Sequence, residues 1–529
     1  MRIVWASLVA VLASSACYES SAAHCDNGAS GCACDASHAC AGGLRCQAER
    51  CVSTALAAGT AAAAHADQAA PPPADAGKSP RDAAPVTPVT PFSPVGDPIP
   101  GDAGKSTRDA APADGGLSSP DPGVSSNTDV PCGATKALAL DKLDLLFMVD
   151  NSNSMAQEQE ALKAQFPKLI NVLTSGQRFP GDPNPFPAAS DLHVGVVSSD
   201  MGIPGVNFGA NVGCLPDGGD DGRLQHAPHD PSCSANYPAF LSYNSGTDPT
   251  GFANDFQCIA TLGTNGCGFE QQLEAPLKAL WPSVFKDGNG NVVTPNPITF
   301  LATTSQGTLG RGDVPAAQGG NAGFLRNDPS SGLSLIAIVV VTDEEDCSSR
   351  TTEHLKPTAQ EMGTPYFAQD LNLRCHYNPS LLFDVANRYL KGFRLLRQGN
   401  ENLVVFAAIT GVPERLVTRD VLAATDFSDS ASRDKFYDNI LNDPAMQETI
   451  DPTTNPGSGS GNLVPSCVRT DKAGNTATAY PPRRIVQLAK LFGENGIVQS
   501  ICQDDFGPAM DAIINVMAKR FQNPSSCLQ

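Results

Sequence analysis

The chain has 529 residues, 41% hydrophobic and 17% charged, with a formal charge of −20, 43 prolines and 17 cysteines. That acidic balance excludes a nucleic-acid binder, because phosphate contact needs a basic surface. The length exceeds one typical domain, and disulfides consume thiols in pairs, so an odd cysteine count leaves one thiol needing a separate explanation.

Residues 1–16 have the pattern of an export signal: Arg2 supplies positive charge, Ile3 to Ala13 is apolar, and Ser14, Ser15 and Ala16 are the small residues expected before a cleavage site. The apolar stretch is shorter than the ~20 residues that span a bilayer. Cys17 follows at once, and here the sequence resembles the bacterial lipoprotein signal, in which that cysteine is lipidated. The resemblance implies a lipid anchor at Cys17 in the cell envelope, at the outer membrane or cell surface. The family prefers leucine where this chain has Ser14, so plain cleavage after Ala16 is the alternative.

Residues 17–51 carry, besides Cys17, six cysteines: Cys25, Cys32, Cys34, Cys40, Cys46 and Cys51. A segment this rich in Gly, Ala and Ser buries no core, so three disulfides are expected to hold it. Residues 52–131 are dominated by Ala, Pro, Asp, Gly, Ser and Thr, too poor in large apolar residues to offset the entropy of folding, and are expected to be a disordered linker. Within it the run from Asp75 to Pro85 recurs, with one change, from Asp102 to Pro112, a duplication of linker.

Residues 132–529 read differently. Asp144 to Val149 is an apolar run of strand length, and Leu162, Phe166, Leu169 and Leu173 follow at helical spacing. Leu335 to Val341 has no polar interruption, as expected of a parallel strand covered on both faces, and Asn402 to Ile409 is a third such run. Helical patterns separate them around Phe269 to Leu280, Leu382 to Leu396 and Phe506 to Phe521. The alternation predicts an α/β fold with a doubly wound, mostly parallel sheet. Residues 200–257, 284–332, 347–378 and 425–480 read as loop-like or irregular insertions.

Ligands in such sheets bind at the carboxyl ends of the strands. The first strand ends in Asp150-Asn-Ser152-Asn-Ser154, which groups hard oxygen donors suited to Mg²⁺. The competing explanation is a helix cap, with Ser154 and Gln157 forming a capping box. Gly263-Thr264-Asn265-Gly266 leads into the Phe269 helix, and the buried strand ends in Thr342-Asp343. With those elements the sequence resembles the von Willebrand factor type A domain, whose metal-ion-dependent adhesion site is Asp-x-Ser-x-Ser, then Thr, then Asp on successive loops. The resemblance implies that Ser152, Ser154 and Thr264 contact Mg²⁺, or Ca²⁺ or Mn²⁺, directly. It also implies that Asp150 and Asp343 act mainly through bound waters, and that a protein partner supplies an acidic side chain. Thr261 is the alternative to Thr264. The expected function is an adhesion-type, metal-dependent protein-binding module on a flexible stalk, not an enzyme and not a nucleic-acid binder, touching membrane only through its lipid. The alternative is a structural envelope assembly protein whose metal only stabilises the fold.

Glu344, Glu345 and Asp346, after Asp343, read as a solvated acidic turn. Asp287-Gly-Asn289-Gly-Asn291 lacks the later ligands of a calcium loop and reads as a tight turn, Arg311-Gly312-Asp313 is assigned no function, and His226 and His229 read as solvated. Beyond residue 51 ten cysteines remain, an even number, and the simplest local pairs are Cys214–Cys233, Cys258–Cys267 and Cys347–Cys375.

Overall fold

The computed structural model describes residues 45–47, 50–52 and 140–522, apart from short gaps at 180, 183–184, 209–212, 235, 328–331, 357–363, 458, 471–473 and 475. The expected export signal, Cys17, Cys25, Cys32, Cys34 and Cys40, residues 53–131 of the expected linker, Cys132 and Cys527 lie outside the described residues. The chain divides into two units, Met1–Asp121 and Pro122–Gln529. In the first, β1 (Arg45–Gln47) pairs antiparallel with β2 (Arg50–Val52), and Cys46 stands directly across from Cys51.

The second unit is built on a six-stranded sheet. Its strands are β3 (Lys142–Val149), β4 (Asp191–Ser198), β5 (Leu241–Tyr243), β6 (Leu335–Val341), β7 (Val404–Thr410) and β10 (Gly496–Ser500), in the spatial order β10-β7-β6-β3-β4-β5. All pairings are parallel except that of edge strand β5 with β4. Alternation along β3 explains why Leu145 to Val149 is apolar throughout: Leu143, Leu145, Phe147 and Val149 pack into one core and Leu146 and Met148 into another, while Asp144, also buried, is met by Arg326 at 2.7 Å. The first core is closed by α2 (Phe166–Ser175), α3 (Pro249–Ala260) and α9 (Gly507–Gln522). The second is closed by α4 (Glu274–Leu280), a π-helical turn (Val385–Leu390) continued by α5 (Lys391–Leu395), α6 (Arg419–Ala424), α7 (Ser430–Leu441) and α8 (Arg483–Leu491). Helices thus cover both faces of a mostly parallel sheet, as the alternation predicts.

Several elements depart from expectation. The helical spacing from Leu162 to Leu173 falls on two helices, α1 (Ala156–Lys163) and α2, because Pro167 in the first turn of α2 has no N–H to return to the Lys163 carbonyl. That carbonyl accepts the Gln257 side chain instead, at 2.8 Å. Residues 200–257 are not all loop, since they contain β5 and most of α3. Asp248 caps α3 through the Thr250 and Gly251 N–H groups, with Pro249 at its start. Residues 425–480 contain α7 and the hairpin of β8 (Cys467–Thr470) and β9 (Thr476–Ala479). The expected helix from Phe269 begins only at Glu274; Phe269 instead packs in a third apolar cluster with Ile203, Val206, Leu355 and three cysteines.

Among the described residues the disulfides are Cys214–Cys267, Cys233–Cys258, Cys347–Cys375 and Cys467–Cys502. The expected local pairs Cys214–Cys233 and Cys258–Cys267 are therefore incorrect, and Cys347–Cys375 is correct. The cross-pairing follows from packing. Gly213 lies so close to the Gly266 loop that a Cβ there would stand 2.3 Å from the Gly266 carbonyl oxygen, which brings Cys214 onto Cys267. These bridges fit an oxidising, extracytoplasmic setting. Among the described residues no helix is long and apolar enough to cross a membrane.

Candidate metal centre at the sheet switch point

β3 lies between β6 and β4, so the chain order reverses beside it, and crevices at the carboxyl ends of strands open at such reversals. Register places the site. Val149 is aligned with Val341 of β6 on one side and Ser198 of β4 on the other, so Asp150, Thr342 and Ser199 emerge side by side. The Asp150 carboxylate, wholly buried, accepts the Thr342 hydroxyl at 2.6 Å, the Ser199 hydroxyl at 3.2 Å and the Ser152 N–H at 2.8 Å.

The two serines of the motif meet over this point. Their hydroxyl oxygens are 3.0 Å apart, and the Ser154 hydroxyl donates to Asp343 Oδ1 at 3.2 Å. The helix-cap explanation is not met: neither the turn Asn153–Met155 nor α1 has a side-chain cap hydrogen bond. Asp150, Ser152, Ser154 and Asp343 are therefore brought together. Thr264, half-buried, belongs to the loop laid against this one, where the Gly266 N–H donates to the Asn151 carbonyl at 2.8 Å. Thr261 is otherwise engaged, its hydroxyl donating to the Gln257 carbonyl at 2.8 Å.

The electrostatics are one-sided. Burial, followed by the charges of Glu344, Asp150 and Glu158, raises the Asp343 pKa well above the usual carboxylate range. Burial likewise raises Asp150, and burial with the charges of Glu344 and Asp150 raises Glu270. Glu344 is pushed up to about 7 by burial and by Asp150. Among the described residues none of these four carboxyls forms a salt bridge with a lysine or arginine. Clustered buried carboxyls without a cation, beside paired hydroxyls, are a donor set that a hard divalent cation fits. The set is largely hydroxyl: among the described residues no group of three or more His, Cys, Asp and Glu side chains has metal-binding geometry.

The turn after Asp343 is not the solvated acidic loop expected. Glu345 accepts the Arg484 N–H at 2.9 Å at the start of α8, and Asp346, wholly buried, pairs with the Arg484 guanidinium at 3.1 Å and accepts the Leu273 N–H at 2.9 Å. These carboxylates fix α4 and α8 beside the site. A cavity of about 480 Å³ opens there, lined by Ser152, Ser154, Glu270 and Glu344 and also by Glu345 and Arg484.

Other motifs are absorbed by the fold. The Arg311 guanidinium pairs with Asp221, the Asp313 carboxylate accepts the Ser283 N–H at 2.5 Å, and Gly312 packs against the Leu280 carbonyl, so Arg311-Gly312-Asp313 is structural. Asp287 closes its turn by accepting the Asn289 and Asn291 N–H groups at 2.9 and 2.8 Å. His226 and His229 are exposed. Sequence reasoning missed Ser199, Thr342, Gln159 and Glu270. Thr342 alone had a signal, its place between a buried strand and the motif aspartate. No protein-family model matches the chain, and no curated protein matches it.

Proposed function

We propose that residues 132–529 form a von Willebrand factor A-like module that binds a protein partner through a divalent cation. Ser152, Ser154 and Thr264 would hold the cation directly, and Asp150 and Asp343 would act through water. Mg²⁺ suits the hard oxygen set best, with Ca²⁺ or Mn²⁺ as substitutes. When bound, the cation supplies an open coordination position for an acidic side chain of the partner. One observation carries the reading: the Ser152 and Ser154 hydroxyls are not used in helix capping but face one another, and that of Ser154 reaches Asp343, 189 residues away in sequence. The chain's own groups prepare the site, as Thr342 and Ser199 orient the Asp150 carboxylate and the buried sheet ends exclude water from it.

The module would be displayed from the cell envelope on the linker of residues 52–131, anchored through lipidated Cys17. Mass spectrometry of the mature amino terminus tests the anchor, and an unmodified Cys17 removes it. Titration of the purified protein with Mg²⁺ and Mn²⁺ by calorimetry, with Asp150→Ala and Ser152→Ala, tests the site. Binding to candidate surface proteins with and without EDTA tests the role. Partner binding that ignores EDTA and both substitutions favours the structural alternative, in which the cation serves only the fold.

A further inference from the structure

The loops carrying Asp150 and Thr264 are remote in sequence, and a metal shared between them needs their separation set before it arrives. Gln159, on α1 and 5% exposed, spends its side-chain amide on both. Nε2 donates to the Asp150 carbonyl at 2.8 Å and to the Gly263 carbonyl at 2.9 Å. Two further anchors follow along the second loop. The Gly266 N–H donates to the Asn151 carbonyl at 2.8 Å, and Cys267 is tied to Cys214. Gly266 is seated so closely that a Cβ would stand 2.1 Å from Asn151 Oδ1. Thr264 and Asn265 are thus a short span between two held residues, entered through Gly263 with φ of 73°, a conformation that favours glycine.

We infer that Gln159 is a positioning residue for the cation site: its amide fixes the Thr264 loop against the Asp150 loop, so metal affinity depends on a side chain that does not touch the metal. The side-chain chemistry is selective. A primary amide offers two donors from one nitrogen without charge. A lysine there would compete with the cation, and a carboxylate would repel both carbonyls. The inference rests on the reading of Asp150, Ser152, Ser154, Thr264 and Asp343 as a cation site.

The test uses the exported full-length chain, Mg²⁺ and Mn²⁺ as probes, and Gln159→Leu, Gln159→Met, Thr264→Ala and the double variant Gln159→Leu/Thr264→Ala. Gln159→Leu is expected to weaken Mg²⁺ binding by roughly 10- to 100-fold, the range for groups that orient metal ligands. In the Thr264→Ala background the same change is expected to cost about threefold or less, because the loop it positions no longer carries a ligand. A merely structural role would cost the same in both backgrounds. Hydrogen exchange of residues 263–267 in wild type under EDTA needs no variant: slow exchange is expected, and fast exchange overturns the inference. A wild type that binds while Gln159→Leu and Gln159→Met bind equally well removes the role of Gln159 alone. A wild type that binds neither cation removes the site itself.

Discussion

The charge clamp beside the candidate site makes a quantitative test of the acidic turn. Replacing Arg484 with Met keeps most of its length and apolar stem but removes the guanidinium that pairs with Asp346 at 3.1 Å and donates to the Phe383 carbonyl at 2.7 Å. The Asp346 side chain is fully shielded from solvent, and that of Arg484 is 15% exposed, so the variant leaves a buried carboxylate without a cation. Removing one partner of such a pair costs about 3–5 kcal/mol. Asp346 keeps the Leu273 N–H at 2.9 Å and the Ser348 hydroxyl at 2.6 Å, which sets the expectation at the lower end, about 3 kcal/mol. A unit of about 400 residues unfolds with an entropy near 0.8 kcal/mol per degree, so the loss corresponds to a fall in Tm of about 4 °C. Differential scanning calorimetry of the oxidised protein at pH 7 in EDTA measures it without any contribution from bound metal. The companion is Asp346→Asn, alone and combined. The combined variant is expected to lose less than the sum, by about 1–2 kcal/mol, because removing both charges removes the uncompensated one. A Tm within 1 °C of wild type for Arg484→Met, or strictly additive losses, refutes the clamp.

Further outcomes follow from the same geometry. Gly266→Ala must push the Thr264 loop off Asn151, since its Cβ would fall 2.1 Å from Oδ1; Mg²⁺ affinity should drop roughly tenfold or more, and a wild-type calorimetric isotherm would count against the docking of the two loops. Non-reducing peptide mapping should recover Cys214–Cys267 and Cys233–Cys258, and recovery of Cys214–Cys233 would contradict the packing of the insertion. Removing Cys214–Cys267, which closes 53 residues, by a double alanine substitution should cost about 4 kcal/mol in urea unfolding. Buried His354 has its pKa lowered to about 4 by burial and by Arg374, below its unfolded value. The unfolded chain therefore binds the proton first, so this contribution to stability is complete above about pH 6.5 and is lost as pH falls toward 4. His354→Gln should flatten that limb of the stability curve, and an unchanged limb would show that His354 does not set it.

Much of the frame is determined by local chemistry. A parallel strand covered on both faces is apolar at nearly every position, so Leu145 to Val149, Leu335 to Val341 and Val404 to Ile409 stand out in the sequence; buried Asp144 is the exception in β3, where Arg326 and Arg397 meet its carboxylate. Strands of this kind present ligands at their carboxyl ends, so the residues directly after them, Asp150 with Ser152 and Ser154, and Asp343, are legible as candidates without coordinates. Strands that depart from the pattern are not: β4 carries His193 and Gly195, β5 is three residues long and β10 five. Tertiary structure decided the rest because it concerns distances between segments that local pattern does not encode. The register of β3 between β4 and β6 put Ser199 and Thr342 on Asp150. Packing of the 200–222 insertion on the Thr264 loop crossed the disulfides. The arrival of α8 beside the second motif aspartate turned Glu345 and Asp346 from an expected solvated turn into a buried clamp, since a carboxylate stays in water unless a cation and N–H donors meet it, and here Arg484 brings both.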